Sequence, residues 1–466
     1  MGRTKKVLSK SKEFKAFLFD NEALIGSALF APGVPEQILA STPIHGLLKQ
    51  EKTWKLFLQQ ALRNISPNEP FHQALIVLLE RELGDDSPAA SHQEKRKLAA
   101  KLGLLRKPFH VSRILNDAAS FEKGAAEILE KYGLKVVLHQ RLKDSEHDYK
   151  QHKQLVEDSR YAKDGAIICS PEAGFYHILP NESVIIVSSN ECDGKVIYSV
   201  ELVVIRDALA ESEFTEPLLN WLSDVVYAAT CNRRDVRPNH PGRMVQIGIN
   251  MGPRHARTLG YAISFTKKLT LEQKAAQDTD LIGALSLLWN LAKAYMPGDV
   301  MDEITGFLED LNYPELGTRH IPSGRGFSIE CDGKTYAFTA AGRAPPEGIA
   351  TWAFHMPTHK DNSPVKWSLA LTTLRMMQEN SPLQAGYGSN LVDVTLRVVV
   401  QSRVATLTAF TPNVLHGTTT HGEGIDPINA GVSLTSTERV YKAYAAMAAQ
   451  PGGVVFEGEA ICLPKD

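Results

Sequence analysis

Phe354-His355-Met356-Pro357-Thr358-His359-Lys360-Asp361-Asn362-Ser363-Pro364 contains the only His-x-Asp in the chain. In an extended segment, residues two apart point to the same side. His359 and Asp361 can therefore grip one metal ion from one face. Taken alone the pair is a weak signal, because a chain with 15 histidines offers chance matches. The default alternative is a histidine hydrogen-bonded to a nearby carboxylate. A second stretch changes the balance. Residues 403–419 read as an alternating strand, a tight turn at Thr411-Pro412-Asn413 and then His416, set before Gly417. His416 follows far enough downstream for intervening strands to bring it back beside His359. Two histidines and one carboxylate would leave three coordination positions open, the pattern of non-haem Fe(II) oxygenases. His421 and Glu423 form a competing pair, but they sit in a Gly-rich loop with no strand before it.

The surrounding pattern predicts an α+β fold with a double-stranded β-helix (jelly-roll) core buttressed by helices. Residues 165–169, 177–179, 183–188 and 196–206 read as short strands separated by turn signals. Apolar spacings of three and four predict helices over 271–295 and 298–311, the second with Asp299 as its cap. Strands return at 326–331, 334–339, 348–356, 391–400, 403–410 and 432–436. Helices between two groups of short strands fit a buttressed sandwich or jelly roll. Residues 1–160 are expected as a helical N-terminal extension and 161–466 as the catalytic domain.

Composition bounds the function. The chain has 466 residues, with 51 Lys and Arg against 53 Asp and Glu, a formal net charge of −2. A protein that coats nucleic acid would be strongly basic, so any such contact has to come from local patches. Two are visible. Residues 93–107 carry Lys95, Arg96, Lys97, Lys101, Arg106 and Lys107 around Leu98, Leu102 and Leu105, which reads first as a solvated helix face. Arg233, Arg234, Arg237, Arg243, Arg254 and Arg257 cluster around Pro238, Pro241 and Gly242. A guanidinium fork suits phosphate, although structural ion pairs would claim some of these arginines. Cys169, Cys192, Cys231, Cys331 and Cys462 are scattered and form no thiolate zinc motif. No signal peptide or membrane span is visible, so an intracellular protein is expected.

Several segments together resemble the TET/JBP group of dioxygenases, over roughly residues 240 to 440. His359-Lys360-Asp361, with His355 before it and Asn362 after it, is similar to that group's His-Arg/Lys-Asp segment. Val414-Leu415-His416-Gly417-Thr418-Thr419 and Gly431-Val432-Ser433-Leu434 resemble its distal-histidine turn and last strand. Gly248-Ile249-Asn250-Met251-Gly252-Pro253-Arg254 is similar, more loosely, to its substrate-side segment. Fungal members are the nearest in pattern.

The resemblance implies that His359, Asp361 and His416 bind Fe(II), that 2-oxoglutarate and O2 are co-substrates, and that a methyl group on a DNA base is oxidised. 5-Methylcytosine and N6-methyladenine are both open. A base inside a duplex is out of reach, so it would be flipped out. Asn362, Asn250 and Arg254 are candidates for substrate contact, and Phe354 or Trp352 for stacking, with ordinary core packing as the alternative for the aromatics. One position departs from the family. An arginine expected two residues before Ser433, to hold the distal carboxylate of 2-oxoglutarate, is replaced by Gly431. Arg439, on an extension of that last strand, and Arg397, on the 391–400 strand, are the candidate replacements. Double-stranded DNA is then the expected partner, a monomer the expected state and the nucleus the expected location, or the cytosol if DNA is not the substrate. The competing functions are hydroxylation of a protein or small molecule, and a catalytically degenerate DNA-binding member of the fold.

Overall fold

The computed structural model describes residues 90–104, 108–252, 258–262, 269–377, 384, 386–421, 426–448 and 461–462. All belong to one compact unit, Ala90–Asp466. The boundary expected at 160 falls inside this unit.

Three helices open the unit: α1 (His92–Lys101), α2 (Val111–Asp117) and α3 (Phe121–Tyr132). Ser91 and Glu94 close a capping box at the start of α1. Leu98 is its buried residue, and Lys97 pairs with Glu213 on the surface, so the charged face is solvated. Arg106 and Lys107 lie outside the described residues. β1 (Lys135–Leu138) follows and pairs in parallel with β5 (Val184–Cys192). The sheet therefore already includes residues that the sequence assigned to a helical extension. After β2 (Leu155–Val156), β3 (Ile167–Ile168) and β4 (Tyr176–Ile178), β5 and β6 (Lys195–Ile205) form a long hairpin.

α4 (Thr215–Asn232) leads to β7 (Arg243–Met251) and β8 (Thr258–Tyr261), then to α5 (Leu271–Tyr295) and α6 (Gly298–Asp310). α5 carries a Thr270–Gln273 capping box, and from Leu281 onward it is buried almost all round, as a helix wedged between layers must be. Asp299 does not cap its own helix, which follows Pro297 without a side-chain cap. Its carboxylate instead accepts the Val111 N–H (2.7 Å) and Ser112 N–H (3.0 Å) at the start of α2. The anion thus answers the unpaired amides of a neighbouring helix rather than its own.

The second half supplies the hairpin β9 (Phe327–Cys331) and β10 (Lys334–Phe338), then β11 (Glu347–Trp352), β12 (Ser368–Met376), β13 (Leu391–Asp393), β14 (Val398–Val400), β15 (Thr406–Phe410), β16 (His416–Thr418) and β17 (Ile428–Leu434). α7 (Glu438–Ala448) and β18 (Ile461–Cys462) complete the described chain. The segment 391–400 is therefore a tight hairpin, not one strand. Arg397 turns it with a left-handed φ of 54°.

The large sheet runs β1-β5-β6-β15-β12-β17-β11-β7-β8-β18, and the facing sheet runs β16-β13-β14-β4. Two orders alternate along the chain: β11, β12, β15 and β17 fall in the large sheet, and β13, β14 and β16 in the small one. That interleaving of two sheets is a double-stranded β-helix. The outer face of the large sheet packs Leu369, Leu371, Leu407, Ala409, Val432 and Leu434 into the main core beneath α4 and α5. The inner face looks across to the small sheet. Among the described residues, no helix is long and apolar enough to cross a membrane.

Candidate metal centre

After β11 the chain turns through Ala353 (φ 49°) and crosses to the small sheet. His359 and His416 then meet as an antiparallel bridge. The His359 N–H donates to the His416 carbonyl (2.8 Å), and the His416 N–H donates to the His359 carbonyl (3.0 Å). The Asp361 N–H is fixed on the Pro412 carbonyl (2.9 Å). This backbone pairing sets both rings and the carboxylate on one side. Asp361 Oδ2 lies 3.8 Å from Nε2 of each histidine, and one ligand atom from each of the three lies within 4.8 Å of the others.

The ring protons are also placed. His359 Nδ1 sits 2.9 Å from the Pro357 carbonyl, and His416 Nδ1 2.9 Å from the Val414 carbonyl. A carbonyl only accepts, so each Nδ1 carries the hydrogen and each Nε2 keeps its lone pair. Backbone carbonyls thereby orient both ligands from behind. Burial, and then the neighbouring His416, push the His359 imidazole down to about 4, so it is neutral near pH 7. Two imidazoles and a carboxylate are a donor set suited to a divalent ion. The residues present therefore fit Fe(II).

The triad borders a cavity of about 240 Å³ between the two sheets. The large sheet lines it in cross-strand rows. Thr351, Gly431, Thr372 and Thr406 form one row, and Ile349, Ser433, Ala370 and Thr408 the next. Phe410, further along β15, stands against the His416 ring with centroids 5.5 Å apart. Leu391, Val400 and Thr418 close the far side, and Met244, Phe354 and Met356 add an apolar margin.

The other expected site residues fall in different places. Phe354 lines the cavity, its ring edge-on to His240. Asn362 is exposed and borders a separate depression with Phe307, Asn413 and Tyr441. Asn250 pairs with Gly260 near the far end of β7 from Arg243, away from the cavity. Arg254 lies outside the described residues. Arg439 is not on a strand extension. It starts α7 and donates to the Gly252 carbonyl (2.9 Å). Arg397 points away at the hairpin turn, toward Gly174. Neither lines the cavity, and no arginine or lysine does among the described residues. The arginine position itself is shut, since a Cβ on Gly431 would stand 2.6 Å from the Leu371 carbonyl oxygen. Trp352 packs edge-on against Tyr227 of α4. His421 is buried against Tyr161, and Glu423 lies outside the described residues.

The arginine cluster divides in two. Arg233 is buried and ion-paired with Asp278. Arg234, Arg237 and Arg243 are exposed. Their segment seats on the cavity mouth: the His355 N–H donates to the Pro241 carbonyl (3.2 Å), and Arg237 Nη2 lies 3.9 Å from Asp361 Oδ1. Gly242 (φ 75°) abuts the Ala353 carbonyl, where a side chain has no room. Sequence reasoning missed the hydroxyl rows, which were legible as Ser and Thr alternating with Leu in β12 and β15. It also missed His240 and Met244, for which a single sequence carries no signal.

A double-stranded β-helix with two histidines and a carboxylate converging between its sheets defines a candidate mononuclear metal site of the facial-triad type. No family model and no curated protein matches the chain. Among solved structures, NgTET1 in complex with 5mC DNA is similar over 62% of this chain and 84% of that one, with 10% identity and a TM-score of 0.30. At that score the likeness adds nothing to what the strand order already defines.

Proposed function

We propose that this protein is an Fe(II)- and 2-oxoglutarate-dependent dioxygenase that oxidises a methyl group on a base in DNA, 5-methylcytosine or N6-methyladenine. The observation that carries the reading is the convergence of His359, Asp361 and His416 on one wall of the cavity between the two sheets. The similarity of the four sequence segments to TET/JBP dioxygenases, fungal members foremost, supplies the reaction class. Fe(II) held by these three residues, with the keto acid, would supply the oxidising chemistry for a methyl C–H bond.

The chain's own residues have three tasks in this reading. The two Nε2 atoms and the Asp361 carboxylate would hold the metal at the cavity wall. Met244, Phe354 and Met356 form the apolar margin against which a flipped-out base packs. Arg234, Arg237 and Arg243, exposed beside that margin, meet the phosphates on either side. A local rim of this kind accommodates DNA without a basic protein overall. Action on genomic DNA would place the protein in the nucleus.

The test is succinate formation by the Fe(II)-loaded protein with 2-oxoglutarate and O2. Methylated duplex is expected to stimulate it above unmethylated duplex of the same sequence. Equal succinate with both duplexes would move the substrate to a protein or small molecule. No succinate with iron bound would leave a non-catalytic member of the fold.

A further inference from the structure

Among the described residues the cavity has no cation on its wall, yet one stands directly behind it. Ile205, at the end of β6, pairs with Leu407, so Arg206 stands beside Thr406 and extends the Thr351–Gly431–Thr372–Thr406 row by one strand. Arg206 is 6% exposed. Its Nη1 donates to Thr406 Oγ1 (2.9 Å), its Nε to the Glu182 carbonyl (3.2 Å), and its Nη2 to the carbonyls of Ile178 (3.3 Å) and Leu179 (3.0 Å). Every one of these partners is neutral. Asp207, the next residue, pairs with Arg403 instead (2.8 Å). Burial, reinforced by Arg403, pulls the Arg206 guanidinium down to about 10, against the opposing pull of the Asp207 and Glu182 carboxylates. A buried charge with no anion among its hydrogen-bond partners is costly. An anion bound nearby would offset that cost.

Thr406 is the relay. A guanidinium only donates, so Thr406 Oγ1 accepts from Arg206 and its own proton must point elsewhere. Thr406 is 2% exposed to solvent and faces the cavity. A hydroxyl that accepts from a cation is polarised into a stronger donor. Thr372, its neighbour in the row, adds a second hydroxyl to the cavity wall, and Gly431 beyond it presents no side chain. β15 also orders the two ends of the site. Phe410 lies beside His416, Thr408 comes next, and Thr406 lies at the end toward Arg206.

We propose that Thr406, backed by Arg206, is the carboxylate subsite of this cavity and receives the anionic end of a ligand whose other end lies at His359, Asp361 and His416. The cation that balances the carboxylate then comes from the end of β6, across the sheet from β17, and acts through a hydroxyl. This rests on the keto-acid reading given above.

The experiment is anaerobic calorimetric titration of the Fe(II)-loaded protein with 2-oxoglutarate and with 2-oxopentanoate. The second acid has the same chain length and no distal carboxylate. The wild type is expected to bind the diacid about tenfold tighter or more. Thr406→Val keeps the shape and removes the hydroxyl. It is expected to weaken 2-oxoglutarate by about tenfold and leave 2-oxopentanoate within about threefold. Arg206 also latches three carbonyls, so Arg206→Gln can fail to fold, and Thr406→Val with an unchanged melting curve carries the test. Undiminished preference for the diacid in Thr406→Val, or no preference in the wild type, would overturn the subsite alone. Failure of both acids to bind the iron-loaded wild type would overturn the keto-acid reading and the subsite with it.

Discussion

His359 and His416 exchange both of their backbone hydrogen bonds, and the same pairing turns both Nε2 atoms toward Asp361. The two histidines are thus tied by a backbone bridge, and the Asp361 N–H is held on the Pro412 carbonyl. A site so held has little conformational entropy to lose when a metal binds.

Removing one ligand should therefore cost metal rather than fold. His416→Ala and Asp361→Ala are expected to lose at least about 100-fold in Fe(II) affinity, beyond the 10–100-fold typical of losing an outer partner. Far-ultraviolet circular dichroism should stay unchanged. Metal titration followed by iron analysis of the dialysed protein measures it. Stoichiometric iron in Asp361→Ala would remove the carboxylate from the set.

The glycine on β17 tests whether an arginine could simply be restored. A Cβ at Gly431 meets the Leu371 carbonyl oxygen at 2.6 Å. Gly431→Ala is expected to destabilise by about 1–3 kcal/mol through forced strand separation, and Gly431→Arg by at least as much, without gain in 2-oxoglutarate binding. Urea midpoints with unchanged slopes read the effect. A stable Gly431→Arg protein that binds the keto acid more tightly would contradict it.

Arginines near in sequence should part company in solution. Arg233→Ala leaves Asp278 buried without its partner, an expected loss of about 3–5 kcal/mol of stability. Arg234→Ala and Arg243→Ala, both exposed, should stay within about 0.5 kcal/mol of wild type. Each should instead weaken duplex binding and lower the slope of log affinity against log salt by about 1. Fluorescence anisotropy across a salt series distinguishes the outcomes, and an unchanged slope in both variants would take the rim away from DNA.

Glu347 sets a pH dependence of stability. It is 1% exposed, and burial pushes its carboxyl up to about 8, against the pull of the Thr437 N–H and hydroxyl that it accepts. The unfolded chain releases this proton near 4.5. Between those two values the folded state binds more protons, so stability falls as pH rises through the window and levels off above it. Glu347→Gln is expected to flatten that fall. Melting temperatures of the two proteins at intervals from pH 5 to pH 9 provide the check, and parallel curves would show that Glu347 does not titrate there.

How much of this was legible in the sequence follows from what each signal depends on. The triad was readable because its geometry is local, with His-x-Asp on one extended segment and His416 at a strand end. The long helix Leu271–Tyr295 was readable from period alone. β12 was not anticipated, although it lies at the centre of the large sheet. Leu369 and Leu371 join the main core while Ser368 and Thr372 line the cavity, and a bulge between Thr372 and Leu374 breaks the alternation. β13 and β14 looked continuous because nothing local marks Arg397 as a left-handed turn. Arg439 looked like a strand residue for want of a break after Leu434, where α7 in fact begins four residues later at Glu438. Arg206 had no local signal at all. Its place behind Thr406 exists only once β6 and β15 pair across about 200 residues of chain, a non-local relationship that no period records.

The most direct test of the central claim is mass spectrometry of nucleosides from duplexes carrying 5-methylcytosine or N6-methyladenine. The duplexes are incubated with purified protein, Fe(II), 2-oxoglutarate, ascorbate and air, beside a His359→Ala/Asp361→Ala double variant. Oxidised methylcytosine or plain adenine is expected with the wild type and neither with the variant. Unchanged bases in both reactions, with the wild type retaining iron, would contradict it.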